Sequence, residues 1–581
     1  MVRKDVKTAV NIILASWLIL TPLFWHLDLT TFTTNYYDTF LMAPHAFFHL
    51  AVFYLLTFFS IFLNNKVSLY HILLLSLYFP VIQLANYPFL IHRDVYLHAA
   101  PVETILTNGK IVYPKDPAPE SWPSSFNLHA ILSEILGCNL IITNYILYLI
   151  LILVFALVLY SFARKLNEKG YRLAALSAVL FLALFFTHYL DNFHHYSRTT
   201  LAFTFLLLFI YVFMTFKGHQ GRILHLLVAI AIVTTHPFQS AALLGFAIFY
   251  FILAFKKEPI NFASFLAVAF VGWFIFNGSL TFEQAIARVK TFLSPQYIAP
   301  LIITLAPSEV LPWWGVILRD FFKYSLIILL SVASFSTIWV IYNRFKHKQL
   351  ARLYIGLSAL LPMSVVMLLG LLLLPDWHIF RFTPFAAFPA AFTSLPLLDN
   401  LIKRNKEKLP HIKLKLTSKK VLTTLFLAFI IILSAIVMVM RFEYNYYYGE
   451  LDHPSELSSL SFFFNHNHNA TVNIVSWRTT VHAAYFNYNA SHDILRLWYL
   501  DLKAIGKNSS QLLISQEKLI TQSNAIIRGI RDEFDFSRVE SPSTLLKYMD
   551  ESIIQPKFGQ VYSNGYYTIY IRQIPHNAAS I

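Results

Sequence analysis

Long apolar segments alternate with short polar ones along the first 440 residues of the chain. Since a bilayer core of about 30 Å is crossed by roughly 20 apolar residues in a helix, this pattern predicts thirteen membrane spans. They are expected at about residues 8–25, 44–63, 67–87, 139–163, 173–187, 199–216, 222–236, 238–255, 260–276, 322–342, 353–374, 382–398 and 421–440. At His236-Pro237, one long helix broken at the proline is the alternative to two spans.

Basic residues are distributed unevenly between the two sides of these spans. With the N-terminus inside, the seven inner segments carry 24 Lys and Arg against 5 Asp and Glu, and the six outer loops carry 8 against 12. This bias follows the positive-inside rule and favours thirteen spans. The odd number places residues 441–581 outside, where glycosylation-type sequons at Asn469, Asn489 and Asn508 agree with that address.

Residues 441–581 change to a polar composition rich in Asn and Ser. Runs typical of strands lie at 471–475 and 566–571, and helical patterns lie at 510–531 and 544–554. We therefore expect a small soluble α/β or α+β domain on the extracytoplasmic side.

The composition agrees with a membrane protein. Hydrophobic residues make up 57% of the chain and charged residues 13%, whereas a globular chain is about 25% charged. The net charge of +15 lies in short loops rather than in one basic patch, so no nucleic-acid partner is predicted. A single cysteine, Cys138, excludes an intramolecular disulfide framework. The expected fold is mainly α, a polytopic membrane helix bundle over residues 1–440 followed by the external domain.

Ionisable residues of the outer loops collect within a few residues of span ends. At that depth they are costly unless paired or surrounded by a polar cavity, which makes them functional candidates. In the first cluster Asp94 and His98 are four residues apart, so a helix starting here presents both on one face. Asp94 is a candidate general base for an acceptor hydroxyl, aligned by Arg93 or His98. The alternative is an Asp that caps a helix.

The same loop continues through a Trp122-Pro123 segment into an amphipathic pattern over residues 127–136 that ends at Gly137. Aromatic residues and prolines at the boundary between water and lipid suit a helix lying on the membrane surface.

This layout, with an acidic motif in an early external loop, a surface helix, many later spans and an external carboxy-terminal domain, resembles the GT-C superfamily of polyprenyl-phosphate-dependent glycosyltransferases. At residue level the resemblance covers mainly 92–137. It implies that Asp94 is the catalytic carboxylate of an external loop spanning residues 87–138. Family members often carry paired acids, whereas this chain has Arg93-Asp94. No metal ligand is therefore assigned, and a divalent cation, Mg²⁺ or Mn²⁺, stays an open alternative.

A second similarity lies at residues 307–314, where the sequence around Glu309 resembles the external-loop Ser-Val-Ser-Glu motif of oligosaccharyltransferase catalytic subunits. The Trp-Trp-Asp-Tyr-Gly motif of those subunits is absent from the external domain. A transferase for a single sugar is therefore preferred, with en bloc transfer of an oligosaccharide to protein as the alternative.

Two later outer loops carry further candidates. The loop ending at Arg198, which includes His194 and His195, has three open interpretations: a metal site, a contact with phosphate or sugar, and a structural role. In the loop at 375–381, the planar guanidinium of Arg381 suits phosphate oxygens and Trp377 offers an aromatic face for a sugar or prenyl chain. The alternative there is an interface anchor in which Arg381 pairs with Asp376.

A lipid-linked sugar has a phosphate leaving group, whose developing charge needs cationic stabilisation. The candidate donor- and substrate-binding residues are Arg93, His98, His194, His195, Arg198, Glu309, Arg319, Trp377, His378 and Arg381.

The sequence thus predicts an inverting hexosyl- or pentosyltransferase, multi-pass in the plasma membrane and active on the extracytoplasmic side. It uses a sugar linked to polyprenyl or dolichyl phosphate, and its acceptor is a glycan, lipid or protein. The rivals are a multi-pass transporter and a structural membrane protein. A transporter predicts repeated halves and mid-membrane charges, but the sequence shows no such repeat and its charges collect at one face.

Overall fold

The computed structural model describes residues 2–31, 49, 52–53, 55–57, 59–60, 68–86, 93–110, 122–167, 196–216, 218–254, 258–276, 335, 338, 342, 388, 472–474, 494–496, 525–529, 558–563 and 567–572. The chain divides into two compact units. One comprises Met1–Pro88, Tyr113–Ala306 and Leu311–Glu443, and the other comprises Phe89–Val112, Pro307–Val310 and Tyr444–Ile581.

The helices of the described residues follow the apolar segments of the sequence closely. They are α1 (Val2–Thr31), α2 (Leu69–Asn86), α3 (Arg93–Asn108), α4 (Ser124–Leu136), α5 (Leu140–Asn167), α6 (Arg198–Thr215), α7 (Gly218–Val233), α8 (Pro237–Ala254) and α9 (Glu258–Phe276). Seven of them coincide with predicted spans. The predicted spans at 173–187, 353–374 and 421–440 lie outside the described residues, so the total of thirteen stays a prediction.

The first helices are joined near their predicted inner ends by a chain of hydrogen bonds. The backbone N–H of Ser68 donates to Nδ1 of His71 at 3.1 Å, so the imidazole carries its proton on Nε2. That Nε2 lies 2.7 Å from the Ser60 hydroxyl, which in turn donates to the side-chain oxygen of Asn11. Since Leu77 of α2 packs against the core of α5 and α6, these helices belong to the main bundle.

Two helices, not one broken helix, meet at His236-Pro237. The ring centroid of Phe213 on α6 lies 5.3 Å from that of His225 on α7 and 5.1 Å from that of Tyr250 on α8. In one continuous helix, residues 225 and 250 would be about 37 Å apart at 1.5 Å per residue. Their contact with one ring shows that α7 and α8 form an antiparallel hairpin.

The outward faces of the bundle are aliphatic. Leu140–Phe162 and Arg198–Thr215 are long and apolar enough to cross a membrane by length and composition. Large aliphatic side chains are nonetheless exposed on the helices, as at Leu157 (49%) and Val268 (73%). Contiguous apolar surface of this kind is unfavourable in water and marks contact with lipid or protein.

Helix α4 has its polar stripe turned toward the protein and its apolar stripe turned outward. Ser125, His129 and Ser133, spaced four residues apart, are buried, whereas Ile131 and Ile135 are 56% and 73% exposed. A helix at a water-facing surface has the opposite arrangement, so this one fits the predicted position at the membrane surface. It ends at Gly137, whose φ of 59° lies in the left-handed region that glycine adopts most readily.

The described strands between residues 472 and 572 form one five-stranded sheet. They are β1 (Val472–Ile474), β2 (Ile494–Arg496), β3 (Ala525–Gly529), β4 (Phe558–Ser563) and β5 (Tyr567–Arg572), in the order β2-β1-β3-β5-β4. β1 pairs in parallel with β2 and β3, with Val472 opposite Ile494 and Ala525. β5 pairs antiparallel with β3 and with β4, and the β4 pairing has an irregularity between Gln560 and Tyr562.

The strands predicted at 471–475 and 566–571 coincide with β1 and β5. The helix predicted over 510–531 is wrong at residues 525–529, which form β3. This segment contains adjacent isoleucines and pairs on both sides, with β1 and with β5. β-branched residues favour strands in such a central position, and this pairing overrides the local helical pattern.

Candidate functional site

Arg198 opens helix α6 in the first unit. The preceding Ser197 has an extended backbone and caps the helix, because its hydroxyl accepts a hydrogen bond from the backbone N–H of Thr200 at 3.2 Å. A serine at this position satisfies one of the otherwise unbonded N–H groups of the first turn. Arg198 therefore lies where the helix dipole and the remaining backbone N–H groups add to its own positive charge.

Tyr196 links the start of α6 to two other helices. Its hydroxyl donates to the carbonyl of Ser125 on α4 at 2.9 Å, and its own carbonyl accepts from Nδ2 of Asn144 on α5 at 3.4 Å. Burial raises the pKa of the Tyr196 hydroxyl above its ordinary value of 10.0. The residue is thus a neutral donor that holds the segment bearing Arg198 in place.

His129 of α4 packs its ring edge to face against Tyr196, with centroids 5.8 Å apart. Its Nε2 lies 3.1 Å from the carbonyl of Leu140, and because a carbonyl only accepts, this nitrogen carries the proton. Burial lowers the pKa of His129 from 6.5 to about 4, although the bond to Leu140 opposes the shift. The imidazole is therefore neutral at physiological pH.

The turn between α7 and α8 is attached to both α4 and α6. The Ser124 backbone N–H donates to the Thr234 carbonyl at 3.3 Å, and the two hydroxyls of these residues are 2.6 Å apart. Nδ1 of His236 accepts from the backbone N–H of Phe238 at 3.3 Å, so Nε2 donates to the Thr199 hydroxyl at 3.3 Å. His236 is thus a cap for α8, and the turn joins the N-terminal ends of α4, α6 and α8.

The first predicted cluster lies on α3, in the second unit. Among the described residues this helix begins at Arg93; Asp94 lies within it, and His98 follows one turn later. His98 is half-buried and lies one turn before Val102, which is buried.

The structure therefore describes Arg93, Asp94 and His98 on one helix and Arg198 on another. The remaining predicted site residues lie outside the described residues: His194, His195, Glu309, Arg319, Trp377, His378 and Arg381. Within the described part of the chain, no group of three His, Cys, Asp or Glu residues is placed to hold a metal ion.

Several residues of the network around Arg198 were not predicted from the sequence. Tyr196, His129 and Asn144 carry no charge, whereas most of the sequence candidates are ionisable residues near span ends. One signal was available: Ser125, His129 and Ser133 are spaced four residues apart, and a polar stripe at that spacing can face the interior of a bundle.

Comparisons with known proteins find likenesses among solved structures. No family model matches the chain, and no curated protein matches it. The chain is similar to ArnT. The structure of ArnT from Cupriavidus metallidurans in the apo state has a TM-score of 0.45 and 11% sequence identity, covering 90% of this chain and 98% of that chain. The structure of the same protein bound to undecaprenyl phosphate has a TM-score of 0.41 and 11% identity, covering 82% and 93%.

With 11% identity and TM-scores below 0.5, this likeness does not carry the function proposed below. That proposal rests on the residues of this chain.

Proposed function

We propose that the chain is a membrane glycosyltransferase that takes a sugar from a polyprenyl-phosphate donor and transfers it, with inversion, to an acceptor on the extracytoplasmic side. The donor is a hexosyl or pentosyl polyprenyl or dolichyl phosphate, and the acceptor is a glycan, a lipid or a protein. Residues 1–440 form the transferase domain and residues 441–581 the external domain.

The observation that carries this proposal is the position of Arg198. It begins α6 directly after the Ser197 cap, at the start of a helix with enough apolar length to cross a membrane. A guanidinium joined to a helix N-terminus binds phosphate through charge and through backbone N–H groups. A phosphate held at the lipid boundary, with its prenyl chain along apolar helices, is the geometry that such a donor requires.

Asp94 is proposed as the base. Its carboxylate takes the proton of the acceptor hydroxyl, whose oxygen attacks the anomeric carbon of the sugar. The bond from that carbon to the phosphate oxygen breaks, and polyprenyl phosphate leaves with its negative charge stabilised by Arg198, Arg319 and Arg381. A positioned carboxylate contributes about 10²–10⁴-fold, and each preorganised donor about 10²–10³-fold.

The test is transfer by the purified protein in liposomes, supplied with a panel of radiolabelled hexosyl and pentosyl polyprenyl phosphates. Asp94→Asn is expected to lose at least about 10²-fold in turnover while still binding the donor. Glu103→Gln is the matched control, because Glu103 is a partly exposed acid on the same helix. Equal activity in the Asp94 and Glu103 variants would remove Asp94 from the mechanism.

A second variant tests the phosphate contact. Arg198→Gln keeps a polar side chain of similar length but removes the charge, so binding of the donor is expected to weaken about tenfold or more. Unchanged donor affinity would contradict the phosphate contact at Arg198, on which the proposal rests.

A further inference from the structure

Three buried oxygen atoms near the outer ends of α4, α5 and α8 have no hydrogen-bond partner within the described part of the chain. They are the hydroxyl of Ser125, Oδ1 of Asn144 and Oε1 of Gln239. The three side chains are 1%, 2% and 2% exposed. Nearly all buried polar atoms in native proteins are hydrogen-bonded, so three such atoms in one region indicate partners that come from outside the chain.

The orientation of both amides is fixed by their other contacts. Nδ2 of Asn144 donates to the carbonyl of Tyr196 at 3.4 Å, and Nε2 of Gln239 donates to the carbonyl of Thr199 at 3.5 Å. Since a carbonyl oxygen only accepts, the nitrogen of each amide must face it. The unbonded oxygens therefore accept, and their partner must donate. Ionised phosphate has no proton to give, whereas a hydroxyl group does.

All three atoms are connected to the short segment that carries Arg198. Asn144 and Gln239 bond the carbonyls of Tyr196 and Thr199, on either side of Arg198, and the carbonyl of Ser125 accepts the Tyr196 hydroxyl. Side chains that can accept from hydroxyl groups are thus hydrogen-bonded to the segment that bears Arg198, whose guanidinium suits phosphate.

We propose that Ser125, Asn144 and Gln239 form a subsite that accepts hydrogen bonds from hydroxyl groups of the donor's sugar, beside the phosphate contact of Arg198. The subsite rests on the proposed function and specifies which part of the donor each group recognises. A sugar ring brings several hydroxyls next to its phosphate, which matches two fixed acceptors and one serine hydroxyl. Ordered water is the other source of the same chemistry, and the experiment separates the two.

The test compares two probes with full-length protein in nanodiscs: undecaprenyl phosphate, and undecaprenyl phosphate loaded with a hexose or a pentose. The variants are Asn144→Leu and Gln239→Met, which keep side-chain size and remove the acceptor oxygen together with the N–H that bonds Tyr196 or Thr199. Each is expected to raise the Kd for the sugar-loaded lipid about 3- to 10-fold, the effect of one neutral hydrogen bond. The Kd for the bare lipid is expected to rise by a smaller factor, because only the lost bond to the segment of Arg198 acts on it.

Thr204→Val is the matched control. The Thr204 hydroxyl is buried on α6 and bonds the Thr200 carbonyl of its own helix, so its removal should leave the ratio of the two Kd values unchanged. If Asn144→Leu or Gln239→Met does not fold, Ser125→Ala is the milder variant. It removes one hydroxyl and keeps the backbone carbonyl that accepts from the Tyr196 hydroxyl.

An equal rise in both Kd values would show a purely structural role and overturn the subsite. Unchanged Kd values for both lipids in folded variants would show that only water satisfies these atoms, which also overturns the subsite. In both cases the wild-type protein still binds both lipids, so the proposed function stands. Failure of the wild-type protein to bind either lipid would overturn the proposed function and the subsite together.

Discussion

Acidification is expected to destabilise the bundle through His129. The side chain is 2% exposed, and burial lowers its pKa to about 4 from an ordinary value of 6.5. The unfolded chain therefore binds a proton at a pH where the folded chain does not. Stability is fully present above pH 6.5 and falls as the pH decreases from 6.5 toward 4.

The magnitude follows from the pKa difference. Between 6.5 and about 4, each pH unit corresponds to about 1.36 kcal/mol, so this one group removes about 3 kcal/mol from the free energy of unfolding. That is a large share of the total stability of most proteins, about 5–15 kcal/mol. The loss is complete below the folded-state pKa.

The measurement is unfolding of the protein in nanodiscs at pH values from 7.5 to 4, for the wild type and for His129→Gln. Glutamine does not titrate, but its amide can still donate to the Leu140 carbonyl that His129 contacts. The variant should lose about 2–3 kcal/mol less than the wild type across this range. His219→Gln, at an exposed position at the start of α7, should follow the wild type. Parallel loss of stability in the wild type and the His129 variant would refute the reasoning.

Three further changes test the packing by equilibrium unfolding at neutral pH. Tyr196→Phe should cost about 1–3 kcal/mol because it removes a buried donor. Tyr211→Phe on α6, whose ring packs against an aromatic neighbour, should cost under about 0.5 kcal/mol, and similar losses in the two variants would contradict the role of the Tyr196 hydroxyl. Gly137→Ala should cost about 1–2 kcal/mol, because alanine is strained at the positive φ of 59°. Gly272→Ala within α9 should be neutral or stabilising, and equal effects on stability would show that the positive φ of Gly137 is not the cause of the loss. His71→Leu should cost about 1–3 kcal/mol, because the hydroxyls of Ser60 and Ser68 lose their bond to the imidazole. A variant as stable as the wild type would show that this chain of hydrogen bonds does not contribute to the free energy of unfolding.

The helices of the bundle could largely be predicted from hydropathy. α5 and α6 begin within a residue or so of the predicted spans at 139–163 and 199–216, because the cost of exposing backbone polar groups to lipid forces long apolar runs into helices. The hairpin at His236-Pro237 was favoured by charge bias alone, and the contacts of Phe213 place both helices against one ring. At 525–529 the local pattern predicted a helix, but pairing with two neighbouring strands made a strand.

The candidate site was predictable only where charge marked it. Arg198 was found because a guanidinium at a span end is costly unless it has a use. The Ser197 cap and the links through Tyr196 involve neutral residues that are common in any helical protein. The importance of Tyr196 comes from partners 52 and 71 residues away in sequence, namely Asn144 and Ser125.

The sequence by itself determined the membrane class, the positions of most helices and the acidic, basic and aromatic candidates of the outer loops, because each depends on local composition and spacing. Only the tertiary structure decided that α4 turns its polar stripe inward, that His129 is kept neutral, and that acceptors on three helices are attached to the segment of Arg198. These properties depend on burial and on hydrogen bonds between distant segments, and burial is a property of the packed chain rather than of any one stretch of it.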